Sequence, residues 1–225
     1  MKIIVFGDSI SFGQYVSPHK TWVGQVSVML EELSNELNHD IEFQCEAVNG
    51  RTTRMALETM PQEIQKHSPD IVIVQFGLND CNYWDSDDGL PRVSRQAFGA
   101  NITEIINRCL NFACQRVFVN TNHPTTRKEP LKVLPSLTYQ RSNEAYSQQI
   151  RESVESLNDE RVSLIDIEET VNSRIKSESC SVDDFILPPP DALHLSQFGH
   201  DHYTQIISQF LFSAVNEIVN FDENS

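Results

Sequence analysis

Apolar residues recur in two rhythms along this chain, and the order of those rhythms predicts its architecture. Residues 2–6, Lys-Ile-Ile-Val-Phe, form a short β-branched run that stops at Gly7, the pattern of a buried strand meeting a sharp turn. Over residues 21–38, Trp22, Val23, Val26, Met29, Leu30, Leu33 and Leu37 fall at helical spacing, with Glu31, Glu32, Ser34 and Asn35 opposite them, so one face points at a core. A second strand is expected over 41–48, followed by the turn signal Asn49-Gly50, and a second helix over 53–67, closed by Pro69. Ile71-Val72-Ile73-Val74-Gln75-Phe76 is a continuous apolar run of the kind that parallel strands buried on both faces display, and it ends at Gly77. Helices over 96–113, 138–157 and 196–219, with strands over 116–120 and 161–165, complete the series.

Strict alternation of strands with helix-length crossovers predicts a parallel sheet covered on both faces, an α/β fold built as a three-layer α/β/α sandwich. Three connections are unusually long: residues 81–95, 121–137 and 176–195. Ligands of open α/β sheets bind outside the carboxyl ends of the strands, so these segments are the expected walls of a site. Pro188, Pro189 and Pro190 stiffen the last of them. The tail, residues 222–225, is expected to fray.

Composition narrows the picture. A chain of 225 residues with 39% hydrophobic content suffices for one well-buried core and is short for two, so a single domain over 1–225 is expected. Its 17 basic and 32 acidic residues give a formal net charge of −15, which repels phosphate backbones and anionic membranes and argues against nucleic acid or acidic lipid as partner. Otherwise the carboxylates serve as a solubilising surface. Five cysteines, Cys45, Cys81, Cys109, Cys114 and Cys180, are odd in number and irregularly spaced, which fits free thiols in a reducing compartment. Only a four-residue apolar run separates Lys2 from Gly7-Asp8, too little for a secretion signal, and no run approaches a membrane span. With this start as the native one, a cytoplasmic location without membrane insertion is expected.

The candidate chemistry begins at Ser9, just past the turn that ends the first strand, where its hydroxyl would stand at the mouth of the sheet. A serine there can be a nucleophile; it is equally an ordinary turn or helix cap. A nucleophilic serine needs a base that is itself oriented by a third group. Asp191-Ala192-Leu193-His194 offers one, since a turn with acid and imidazole three residues apart lets Asp191 accept from one ring nitrogen while the other faces Ser9. The alternative is a turn histidine without a catalytic part. His200 and His202 fall within the predicted last helix and are less free to meet Ser9. Attack on an ester places negative charge on the carbonyl oxygen, which requires preorganised donors. The Gly50 N–H and the Asn79 amide, after the second and third strands, are candidates, although Asn-Gly and Asn-Asp are also common turn formers.

Together these four blocks are far more specific than each alone. Gly7-Asp8-Ser9-Ile10, Gly50, Gly77-Leu78-Asn79-Asp80 and Asp191-x-x-His194, in this order, resemble the SGNH (GDSL-type) hydrolase family, with Ile10 where many members have Leu. The resemblance implies a flavodoxin-like sandwich with a five-stranded parallel sheet. It also implies Ser9 as nucleophile, His194 as base, Asp191 as its orienter, and an oxyanion hole from Ser9 N–H, Gly50 N–H and Asn79. The reaction would be acyl transfer through an acyl-enzyme, without a cofactor. The cysteines and histidines lack zinc-type spacing, and no glycine-rich phosphate loop occurs.

In the long loops, Tyr83 and Trp84, the acidic Asp85, Asp87 and Asp88, and then His123, Arg127 and Lys128 are candidate substrate contacts. Aromatic and carboxylate walls suit sugars, so a small-molecule ester such as an acetylated carbohydrate is the expected substrate. Tyr83 and Trp84 can equally seal their loop against the core. An acyltransferase on the same triad, a lysophospholipase or thioesterase, and a binding module on the same scaffold are the rival readings.

Overall fold

A computed structural model describes residues 1–177 and 180–223. Five strands, β1 (Lys2–Gly7), β2 (Glu42–Ala47), β3 (Ile71–Gln75), β4 (Arg116–Asn120) and β5 (Val162–Ile165), form one sheet. All pairings are parallel, in the order β2-β1-β3-β4-β5. β1 and β3 are buried along nearly their whole length, which their uninterrupted β-branched sequences require. β2, at one edge, exposes Glu42 and Cys45.

The helices are α1 (Ser9–Phe12), α2 (Trp22–Leu37), α3 (Thr53–Glu63), α4 (Arg95–Asn111), α5 (Tyr139–Leu157), α6 (Ile167–Ser177), α7 (Val182–Phe185) and α8 (Gln197–Glu223). α2 packs with α8, while α3, α4 and α5 adjoin in sequence, giving the outer layers of the sandwich. Side chains of Thr21, Thr52, Ser94 and Thr138 accept from backbone N–H groups in the first turns of α2, α3, α4 and α5, satisfying donors that the helices themselves leave unpaired.

Besides the one-turn helices α1 and α7, which the sequence reading did not assign, two longer helices depart from it. The second predicted helix, 53–67, ends earlier, at Glu63; after Ile64, at φ −119°, Gln65–His67 continues only as a 3-10 turn. Residues 167–177, unassigned in part and otherwise placed in a long connection, form α6. Its apolar stripe, Ile167, Val171 and Ile175, is a single narrow row, so periodicity was weak there. The expectation of a frayed tail lies, for residues 224–225, outside the described residues. Among the described residues no helix is long and apolar enough to cross a membrane. The five cysteines form no disulfide.

Parallel register decides where the chemistry collects. Gly7 of β1 pairs with Ala47 of β2 and Gln75 of β3, so the three strands finish level. Ser9, Gly50 and Asn79 follow these ends within a few residues. Crossovers run in opposite directions from β1 to β2 and from β1's other neighbour onward, which makes the β1/β3 boundary the switch point where such sheets open a crevice.

Candidate active site

Ser9 is the first residue of α1, directly after the strand-ending Gly7-Asp8. Asp8 caps this short helix, its Oδ1 accepting from Ile10 N at 3.0 Å, and Gly13 closes it in the left-handed region at φ 76°. The serine is thereby fixed at a strand-to-helix corner with 6% of its surface exposed.

The segment that meets it lies 185 residues later. Leu187 N donates to His194 O (2.7 Å) and Ser196 N to Phe185 O (2.9 Å), pinching off the loop 188–193. Ser196 Oγ accepts from Gly199 N (3.1 Å) in the first turn of α8. Inside the loop Asp191 Oδ1 accepts from Leu193 N and His194 N at 3.0 and 2.6 Å. Its Oδ2 lies 2.8 Å from His194 Nδ1, and His194 Nε2 lies 3.0 Å from Ser9 Oγ. Burial alone would raise the Asp191 carboxyl, but the bonds from His194 N, the His194 ring and Leu193 N outweigh it and hold the group below its ordinary range. An ionised Asp191 only accepts, so it fixes the proton on Nδ1 and leaves Nε2 as acceptor for the serine hydroxyl. A hydroxyl bonded in this way can be deprotonated as it attacks.

Gly50 and Asn79 stand on either side of the β1 end. Gly50 adopts φ +77°, and a Cβ there would meet nothing within 4 Å, so glycine is needed for the backbone conformation and not to relieve crowding. Asn79 Nδ2 donates to Asp8 Oδ2 at 3.3 Å, and its Oδ1 accepts from Arg92 Nη1 at 3.4 Å. Arg92 Nη1 also donates to Gly50 O at 3.1 Å. One guanidinium thus ties the residue after β2 to the residue after β3, leaving the second Nδ2 hydrogen of Asn79 unassigned by these contacts. Nothing in the sequence marked Arg92 except its place in the long 81–95 connection.

Two buried carboxyls lie under this group. Burial pushes Asp8 up to about 7, with Asp80 adding to the rise and the Ile10 and Asn79 bonds opposing it. Burial likewise pushes Asp80 up to about 6 against the bonds from Thr53 Oγ1 and Thr53 N, which reach Asp80 Oδ1 at 2.6 and 2.9 Å.

The loop residues separate into different roles. Trp84, 49% exposed, lies over the Arg92 guanidinium, which is 4.0 Å from its ring centre, so it belongs to the Gly50 and Asn79 side. Tyr83 is half-buried beside it, its phenol pKa raised by burial.

His123 is corrected as a loop-wall residue: it is 0% exposed, with Nδ1 2.8 Å from the Tyr203 hydroxyl and Nε2 2.8 Å from Leu193 O. A carbonyl only accepts, so Nε2 carries the proton. Burial lowers the ring's pKa to about 4 despite the Leu193 bond, so Nδ1 accepts from Tyr203. Its task is to hold the Asp191–His194 turn from below. Arg127 does the same from the side, with Nε and Nη2 donating to Asp191 O at 2.9 and 2.6 Å. His200 Nδ1 accepts from Trp22 N, and His202 contacts Arg174, so neither ring is turned to Ser9.

Comparison with known proteins bears on the family and the fold. The sequence matches the GDSL-like lipase/acylhydrolase family over residues 5–202. A curated arylesterase of Vibrio mimicus is 32% identical over 79 residues, which is 35% of this chain, and the match spans only 38% of that relative's length. In fold, the chain resembles a lipase/acylhydrolase from Enterococcus faecalis, with TM-score 0.69 at 20% identity over 93% of this chain and 94% of that one. It also resembles an acetylxylan esterase from Geobacillus stearothermophilus, with TM-score 0.70 at 16% identity over 92% of each chain. With the family match running from β1 into α8, across nearly the whole chain, this protein belongs to the GDSL-like lipase/acylhydrolase family.

Proposed function

We propose that this acylhydrolase is a carboxylic ester hydrolase that removes acetyl groups from carbohydrate by a Ser9-His194-Asp191 mechanism. The observation that carries the reading is the unbroken chain from Asp191 Oδ2 through the imidazole to Ser9 Oγ, at 2.8 and 3.0 Å. In the first half-reaction His194 Nε2 takes the Ser9 proton as Oγ bonds to the ester carbonyl carbon. The resulting oxyanion is met by Ser9 N–H, Gly50 N–H and the free Asn79 Nδ2 hydrogen. Collapse breaks the bond to the alcohol oxygen, which receives the proton from His194. Water then repeats the sequence on acetyl-Ser9, releasing acetate and the free serine.

Fold similarity to an acetylxylan esterase supports the choice of acyl and alcohol, as do the exposed Trp84 and the polar loops around the crevice. The test is a panel of acetylated xylooligosaccharides, para-nitrophenyl acetate and para-nitrophenyl laurate, run on wild type, Ser9→Ala and His194→Ala. Deacetylation by the wild type, with turnover nearly abolished in both variants, is expected. A strong preference for laurate over the acetates refutes the substrate, and full turnover in either variant refutes the triad.

A further inference from the structure

A cavity of about 560 Å³ lies against the acid side of the triad, lined by Tyr15, Arg127, Leu187, Pro188, Pro189, Pro190 and Asp191. We infer that this cavity is the subsite for the alcohol half of the ester and that it takes a sugar, with Tyr15 as its stacking platform. The ligand class rests on the carbohydrate reading above; the location rests on the proton path.

His194 Nε2 must deliver its proton to the departing oxygen, so that oxygen lies against the imidazole and the rest of the alcohol extends along whatever flanks the ring. Tyr15 flanks it. The two rings meet edge to face, with centres 5.3 Å apart and planes at 88°. Trp84, by contrast, is tied through Arg92 to Gly50 and Asn79, the side that faces the carbonyl oxygen.

Tyr15 is built in a way that packing does not explain. Its backbone sits at φ 71°, a left-handed conformation that costs a non-glycine residue, and its side chain is 70% exposed, so it stabilises no core in return. That strain holds a phenol ring at the mouth of the cavity. The Pro188–Pro190 strip lines the same cavity, and its fixed φ angles make it a rigid apolar wall. Arg127 donates to Asp191 O through Nε and Nη2, and its Nη1 makes no bond among the described residues, so it remains a donor for a hydroxyl. An aromatic face, an apolar wall and a single guanidinium donor match a pyranose, which has C–H faces and a rim of hydroxyls.

Kinetics can isolate such a subsite, because the alcohol takes part in acylation and has gone before deacylation. For Tyr15→Ala, kcat/KM on acetylated xylobiose is expected to fall about tenfold, the scale of one lost aromatic contact. Tyr15→Phe keeps the platform and is expected to retain it within about twofold. Decay of the acetyl-enzyme formed from para-nitrophenyl acetate, followed in a single turnover, should move by less than about twofold in both. An unchanged kcat/KM in Tyr15→Ala overturns the inference. So does acetyl-enzyme decay that slows in step with acylation, which would mean that Tyr15 acts on His194 itself. A wild type inert on sugar acetates removes the carbohydrate reading and the ligand class with it. The location then stands only if Tyr15→Ala loses activity on benzyl acetate and not on ethyl acetate.

Discussion

Replacing Arg92 by alanine probes how the proposed oxyanion side of the site, Gly50 and Asn79, is held. The side chain makes two contacts there, to Gly50 O at 3.1 Å and to Asn79 Oδ1 at 3.4 Å. A well-formed hydrogen bond to a charged group contributes about 1.5–3 kcal/mol. The Asn79 contact is long, and about 1 kcal/mol is the reasonable share, which weights the amide with Nδ2 towards the site about fivefold over the flipped form. A flipped amide would present Oδ1 to a developing oxyanion and repel it. Loss of the anchor on Gly50 adds to this, so the expected fall in kcat for Arg92→Ala is about tenfold. That is well short of the roughly 10²–10³ expected when a whole oxyanion donor goes, as in Asn79→Ala. KM should change little, because the interaction matters where charge develops. Steady-state rates on para-nitrophenyl acetate for the two single variants and the double variant decide the case. If Arg92 works through Asn79, the double variant loses little more than Asn79→Ala alone. Fully multiplicative losses, or a raised KM at constant kcat in a variant whose melting curve matches wild type, would refute the reasoning.

Asp8→Asn should show a pH-dependent gain in stability. The unfolded chain ionises this group near 3.8 and the folded chain near 7, so the folded state holds the extra proton between those values; the associated stability is complete below about pH 4 and lost as pH rises to 7, at most about 4 kcal/mol. Asparagine does not ionise, so melting temperatures of variant and wild type should converge near pH 4 and separate in the variant's favour at pH 8; a constant difference contradicts the buried-carboxyl account. His123→Ala removes the bonds to Leu193 O and Tyr203 and leaves a cavity, for an expected loss of about 3 kcal/mol in urea unfolding together with a lowered kcat. Unaltered turnover in a folded His123→Ala enzyme would show that the Asp191–His194 turn holds itself.

The sequence revealed the frame of this site more readily than its supports. β1 and β3 were legible because strands buried on both faces leave no room for polar residues, and their ends marked where Ser9 and Asn79 would emerge. α6 was missed because three apolar residues in a row make a faint period, although Asp166, whose Oδ1 accepts from Glu169 N at 3.1 Å, was a usable cap signal. Arg92 and Tyr15 were invisible for a different reason. Arg92 contacts a residue 42 positions away, and Tyr15 is recognised by its φ of 71° and its proximity to His194, neither of which a local pattern encodes. His123 lies in the connection where the sequence puts it, but a histidine in a long loop gives no sign of whether its ring turns outward or, as here, under the neighbouring turn.

The supports have a common form, and it explains why the loops can be long without the site being loose. Asp8, after β1, reaches Asn79, after β3. Asp80, after β3, holds Thr53 at the start of α3, which follows β2. Arg92 joins Gly50 to Asn79, and His123 and Arg127, both after β4, hold Leu193 and Asp191 before α8. Gly50, Asn79 and the Asp191–His194 turn are therefore each held by a residue emerging from a different strand, while Ser9 is fixed by its own strand-to-helix corner, and the precision of the site derives from the register of the sheet. Changes at these ties should act mainly on kcat, because they displace groups that matter in the transition state. Changes at the exposed Tyr15 should act on the choice of alcohol, because its ring stands in solvent at the edge of His194 and ties no other group in place.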